Sequence, residues 1–210
     1  MPVDYQIVRS KRKTTCLKIE DGKLVCYTNY LTPKFELDAF VKKHESWYLN
    51  KMANPVQKVG FNIETDNHIW FLGKKYKLTV KTGMESTFVI NGDEIIFTGK
   101  SINTIKNDIK GYFKNYLIKY AQQASDNTGE EFELQFRYYT SRWGCCYKAK
   151  RLIVLNYYLL CLPENCIRQV VHHEIAHLRV PNHQKAFYDR LGQIYPQYRK
   201  DVKELRKFTI

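Results

Sequence analysis

The residues of this chain best suited to chemistry fall in one stretch, Val170 to His183, which reads VVHHEIAHLRVPNH. His173, Glu174 and His177 make H-E-x-x-H. On a helix, positions four apart diverge by only about 40°, so both imidazoles can grip one cation. Glu174 lies about 60° from His177 on the same wheel, close enough for its carboxylate to reach a water on that cation. His183 follows ten residues after His173. Three neutral imidazoles and one open position are what a hydrolytic zinc centre with a single Zn2+ ion per chain requires. With 6 histidines in 210 residues, H-E-x-x-H is expected by chance only about 0.01 times. His172 is out of register, since its partner four residues on is Ala176, and is expected to face solvent.

The elements that must position these residues can be read from periodicity. Pro163 suits a first helical turn, and Ile167, Val170, Val171, Ile175 and Leu178 form an apolar arc, while Arg168, Gln169 and His172 fall on the arc expected to be wet. The ligand candidates sit on the seam between the two arcs. Pro181 stops the helix, and Asn182 can turn the chain so that His183 swings back. Beyond it Phe187, Leu191, Ile194, Tyr198, Val202 and Leu205 suggest covering helices broken near Pro196.

Ahead of the motif, residues 102–124 repeat apolar side chains at helical spacing, with Ser101 as the cap and 126–129 as the close. Three short strands are expected at 134–139, 144–147 and 151–156, forming a small antiparallel sheet. The first hundred residues read as a mostly β module. Strands are expected at 5–8, 15–19 and 24–28 with a turn at 20–22. One amphipathic helix follows at 35–52, ended by Pro55, then strands near 70–80, and a hairpin through Asn91-Gly92-Asp93. The fold class is therefore α+β, with a break at 98–101 separating a 1–100 module from a 101–210 domain. His68 stands alone and reads as structural.

Composition narrows the setting. A 26% charged, 44% hydrophobic chain of 210 residues is ordinary for a soluble protein, and no run approaches the ~18 apolar residues of a membrane span. The basic start lacks an apolar segment after it, so a cytoplasmic location is expected, with the six cysteines as free thiols. A net charge of +13, spread over both halves, attracts polyanions. Nucleotides and nucleic acid are therefore candidate partners, and a membrane is not.

Several separated motifs then agree in order: SRWG at Ser141 to Gly144, Leu155-Asn156, HEIAHL at His173 to Leu178, Asn182-His183, and Phe187-Tyr188. Together with RSKRK at 9–13, the Trp47 helix end and FLGKKYKL at 71–78, they make the chain resemble the YgjP-like (DUF45) metallopeptidase family over almost its whole length. The resemblance implies a zincin-like catalytic domain over 101–210, with His173, His177 and His183 as zinc ligands and Glu174 as general base. It also implies a peptide or protein substrate. Where the family has a serine after SRWG this chain has Cys145, then Cys146, and a thiol is the poorer hydrogen-bonding group. Arg142, just ahead of the Trp-Gly turn, is a candidate to stabilise charge developing on the substrate. Two other classes suit the basic balance: a metal-dependent nucleoside triphosphate pyrophosphatase, and a peptidase associated with nucleic acid.

Overall fold

The structure, a computed structural model, describes residues 3–20, 22–53 and 55–210. The chain divides into two compact units, Met1–Val56 and Gln57–Ile210. In the first, β1 (Tyr5–Arg9), β2 (Cys16–Glu20) and β3 (Lys23–Thr28) form a sheet in the order β1-β3-β2. β2 and β3 are the expected hairpin, although Asp21 in its turn lies outside the described residues. The single helix expected at 35–52 is two, α1 (Lys34–Lys43) and α2 (Glu45–Ala53). They part at His44, whose Nδ1 bonds to the Phe40 carbonyl while its backbone N–H folds back to Val41.

The second unit starts at Gln57, not at the 98–101 break, because the strands before that break share a core with the helix after it. β4 (Gln57–Lys58) is followed by β5 (His68–Phe71), β6 (Lys74–Thr82), β7 (Thr87–Asn91) and β8 (Glu94–Gly99). The last four form a sheet in the order β5-β6-β8-β7. Its buried Ile69, Phe71, Leu78, Ile95 and Phe97 join Ile105, Ile109, Phe113 and Leu117 of α3 (Ile102–Thr128) in one hydrophobic cluster. Those α3 residues recur every fourth position, the spacing that keeps one helical face against a core. Ser101 caps α3 by accepting from the Thr104 N–H, and Gly129 closes it in the left-handed region at φ 65°.

β9 (Glu133–Arg137), β10 (Gly144–Tyr147) and β11 (Leu152–Asn156) form a sheet in the order β10-β11-β9. It is mixed, not antiparallel as expected. β10 and β11 make an antiparallel hairpin, but β11 pairs with β9 in parallel, because segment 138–143 carries the chain past the position β11 then fills. α4 (Glu164–His177) lies against this sheet and α3, and is covered by α5 (Lys185–Ile194) and α6 (Tyr198–Leu205). β12 (Phe208–Thr209) returns to pair with β4.

The β5–β6 turn meets the start of α4. Gly73 has φ 81°, and a Cβ there would sit 2.8 Å from the Pro163 ring, so both conformation and closeness require glycine. The fold is α+β, with six α-helices among the described residues. Among those residues no helix is long and apolar enough to cross a membrane. All six cysteines are unpaired.

Candidate metal centre

α4 carries His173 and His177 one turn apart, and the turn after it returns His183 to the same point. Their Nε2 atoms form a near-equilateral triangle, 3.2 Å between His173 and His177, 3.1 Å between His177 and His183, and 3.0 Å between His183 and His173. Three ring nitrogens converging on one point suit a shared cation. Two zinc–nitrogen bonds of ~2.0–2.1 Å at the tetrahedral angle place their nitrogens about 3.3 Å apart, so the spacing fits zinc to within a few tenths of an ångström. Among the described residues this is the one group of three or more metal-ligating side chains so arranged, and the Cys145-Cys146 pair forms no second one.

The imidazoles are held for this geometry. Nδ1 of His177 lies 3.1 Å from the Val180 carbonyl, which accepts the Nδ1 proton and leaves Nε2 with its lone pair. Burial, then the neighbouring His177 and His183, push the pKa of His173 down to about 4, and burial lowers that of His177. Both rings are thereby kept neutral, as a ligand must be. Beneath all three lies Phe187, fully buried, with ring centroids 4.9, 4.5 and 4.7 Å from those of His173, His177 and His183.

Glu174 is only 7% exposed. Burial raises its pKa to about 7, opposed by the charge of Arg142. Its carboxylate fits only because β10 starts with Gly144, where a Cβ would lie 2.9 Å from both Cγ and Oε1 of Glu174. Arg142 sits on segment 138–143, exposed and in no strand, with its guanidinium over the Tyr139 ring at 5.7 Å. That segment is clamped by fully buried Asn156, whose Nδ2 donates to the carbonyls of Tyr139 (3.0 Å) and Arg142 (2.9 Å), and whose Oδ1 accepts from the Tyr158 N–H. Asn156, part of the Leu155-Asn156 motif, thus ends β11 and fixes the loop that carries Arg142.

Trp143 is half-buried against the main core, and with Gly144, Gln169, Val170, His173 and Glu174 it also lines a cavity of about 230 Å³. The expectation for His172 is overturned. It is 6% exposed, stacked on Tyr195 at 4.5 Å, with Nδ1 bonded to the Arg168 carbonyl. The arc expected to be wet is covered by α5 and α6, and only Arg168 on it stays exposed.

Three supporting roles escape sequence reading: the clearance Gly144 gives Glu174, Phe187 as a floor to the imidazoles, and Glu130. Phe187 shows there as an apolar position of a covering helix and as part of the Phe187-Tyr188 motif, not as a support for the imidazoles. Glu130 follows the Gly129 cap and has no periodic neighbour to mark it, yet is 1% exposed and bonded to three arginines.

No match was found among curated protein sequences. Among solved structures similar to part of the chain are two metallopeptidase zymogens. The metallopeptidase zymogen abylysin of Pyrococcus abyssi has 18% identity and TM-score 0.38, over 45% of this chain and 99% of that one. The metallopeptidase zymogen jannalysin of Methanocaldococcus jannaschii has 15% identity and TM-score 0.36, over 42% of this chain and 88% of that one. Likenesses this distant carry no argument about mechanism. The YgjP-like, metallopeptidase domain profile, by contrast, matches residues 13–208, nearly the whole chain, and the chain belongs to that family.

Proposed function

We propose that the chain is a zinc-dependent peptidase of zincin-like architecture, in which His173, His177 and His183 hold one Zn2+ ion and Glu174 is the general base. The observation that carries this reading is the 3.0–3.2 Å triangle of Nε2 atoms, two of them on the same helix as the buried Glu174 carboxyl. When bound, zinc supplies Lewis acidity toward a carbonyl oxygen and brings the pKa of a coordinated water to ~7. Glu174 accepts the proton of the attacking water and returns it to the leaving amine, so that one peptide bond breaks and one water is consumed. Arg142 lies close enough to influence the Glu174 charge, and its guanidinium is available to charge developing on the substrate.

Peptide is the substrate that suits the surroundings. β10 is an edge strand, so an extended chain can pair along it and reach Gly144 beside Glu174. The adjoining cavity, about 230 Å³, has room for one substrate side chain.

The test is incubation of the zinc-loaded protein with a denatured protein and, separately, with nucleoside triphosphates. Release of peptide fragments, reduced about 10²–10⁴-fold by Glu174→Gln, is the expected result. Pyrophosphate release with the denatured protein left intact would overturn it.

A further inference from the structure

Glu130 is the least exposed carboxylate among the described residues, at 1%, and nothing in the chemistry above uses it. Its Oε1 accepts from Arg179 Nε at 2.6 Å and Arg190 Nη2 at 3.1 Å, and its Oε2 from Arg151 Nη2 at 3.1 Å. Removing a carboxylate from water is costly unless several good hydrogen bonds offset it. Three guanidiniums make an anchor that holds whatever carries them.

What carries them is informative. Arg179 lies two residues past α4 and Arg190 lies within α5, so the two bracket His183 on either side. Between the second and third histidine the chain has no regular structure, and its path is set by a few bonds. The Arg179 carbonyl accepts from Lys148 Nζ at 2.8 Å, the Val180 carbonyl lies against His177 Nδ1, and the Val180 N–H donates to the Ala176 carbonyl at 3.0 Å. His183 itself is exposed, so its place depends on this path and on contact with Phe187, not on enclosure of its ring. The third partner, Arg151, holds the β10–β11 turn in the left-handed region at φ 46°, which a bulky side chain rarely adopts. Its guanidinium also donates to the Glu131 carbonyl, with Nε at 2.8 Å. One buried carboxylate thus ties down the turn after the strand beside Glu174 and both ends of the segment carrying His183.

We propose that Glu130 is a positioning residue of the metal centre, holding His183 in register with His173 and His177 through Arg179 and Arg190. The inference rests on the three histidines being the metal ligands. Outer partners that orient ligands typically govern metal affinity by about 10–100-fold, and Glu130 acts on a ligand by fixing the backbone around it.

The experiment measures zinc affinity by competition with a chromophoric chelator, and the visible spectrum of the cobalt(II)-substituted protein. Both are read well below the unfolding midpoint of each variant. Glu130→Gln is expected to bind zinc about 10–100-fold more weakly than wild type and to show a cobalt spectrum altered toward that of His183→Ala. Asp201→Asn breaks a different buried carboxylate network, the bonds to Tyr195 and Asn165; it should lower the midpoint and leave zinc affinity unchanged. Zinc affinity and cobalt spectrum unchanged in Glu130→Gln, whatever its midpoint, overturn the proposal. If Glu130→Gln does not fold, Arg179→Gln, whose side chain is 60% exposed, replaces it, and unchanged affinity there is equally decisive. Loss of affinity in His183→Ala alone sinks this proposal while sparing the metal reading, and a wild type that binds no zinc sinks both.

Discussion

Gly144 and Glu174 touch so closely that one methyl group cannot be placed between them. A Cβ at residue 144 would lie 2.9 Å from Glu174 Oε1, well inside van der Waals contact. Gly144→Ala is therefore expected to displace the Glu174 carboxylate while leaving the imidazoles in place. A shift of about 1 Å in a reacting group can cost about 10²-fold in rate. The expected outcome is a loss of that order in kcat with zinc stoichiometry unchanged, read by peptide hydrolysis and metal analysis. Full activity in Gly144→Ala would show that Glu174 need not occupy this position.

Phe187 is the floor of the histidine triangle, within 5 Å of all three ring centroids. Truncating a fully buried phenylalanine costs about 3–5 kcal/mol through lost burial and the cavity left behind. Phe187→Ala should show that loss in denaturant unfolding and should also weaken zinc retention, because the rings it supports gain room to rotate. Phe187→Leu keeps most of the volume and is expected to lose less on both counts. A variant destabilised as expected but holding zinc like wild type would confine Phe187 to the core.

Why some of these relationships can be read from sequence and others not has a physical basis. His173, Glu174 and His177 share one helix, whose period converts spacing directly into direction, and the Pro181-Asn182 turn brings His183 back toward it. The Ile105 to Leu117 stripe and the Asn91-Gly92-Asp93 hairpin are legible for the same reason, since local geometry decides them. The parallel pairing of β11 with β9 depends on which gap the chain returns to fill, and no residue within either strand encodes that choice. His172 and Gln169 look solvent-facing on the helical wheel because α5 and α6, which cover them, lie farther along the chain. Glu130 and Arg190 are sixty residues apart. Their pairing is a property of the folded chain and leaves no periodic mark on either.

Acidification should expose the Glu130 anchor. Burial pushes this carboxyl's pKa up, but hydrogen bonds from Arg179 and Arg151 outweigh it and hold the pKa below the usual glutamate value. A folded-state pKa below the unfolded value of ~4.3 stabilises the protein above that pH, and the contribution is lost as pH falls through the folded value. The stability difference between wild type and Glu130→Gln should thus be constant from pH 8 to about 5 and shrink below about pH 4. Denaturant unfolding of the pair at each pH measures it. A difference that grows on acidification would contradict the pairing.

Asn156 offers a test of the loop that carries Arg142. Its amide satisfies the Tyr139 and Arg142 carbonyls at once, and Asn156→Asp would set carboxylate oxygens against both. Losing these bonds in a fully buried setting costs about 2–3 kcal/mol. The loop should loosen, lowering kcat by more than Arg142→Ala alone, since Trp143 and Gly144 move with it. If Arg142→Ala accounts for the whole loss, the clamp matters only through the arginine.

Zinc removal separates what the metal holds from what the core holds. The main core, from Ile69 and Phe113 through Ile153 to Val171 and Ile175, is a different cluster from the one that includes Phe187 beneath the histidine triangle. Chelation is therefore expected to abolish peptide hydrolysis and leave the far-ultraviolet spectrum unchanged, unlike domains that fold only around their metal. Zinc at a thousand times its dissociation constant should then stabilise the folded chain by about 4 kcal/mol, through preferential binding to the native state. In His183→Ala the same zinc concentration lies far closer to the weakened dissociation constant, so its midpoint should move much less. An apoprotein that unfolds on chelation would mean that the triangle is part of what holds α4 and α5 together.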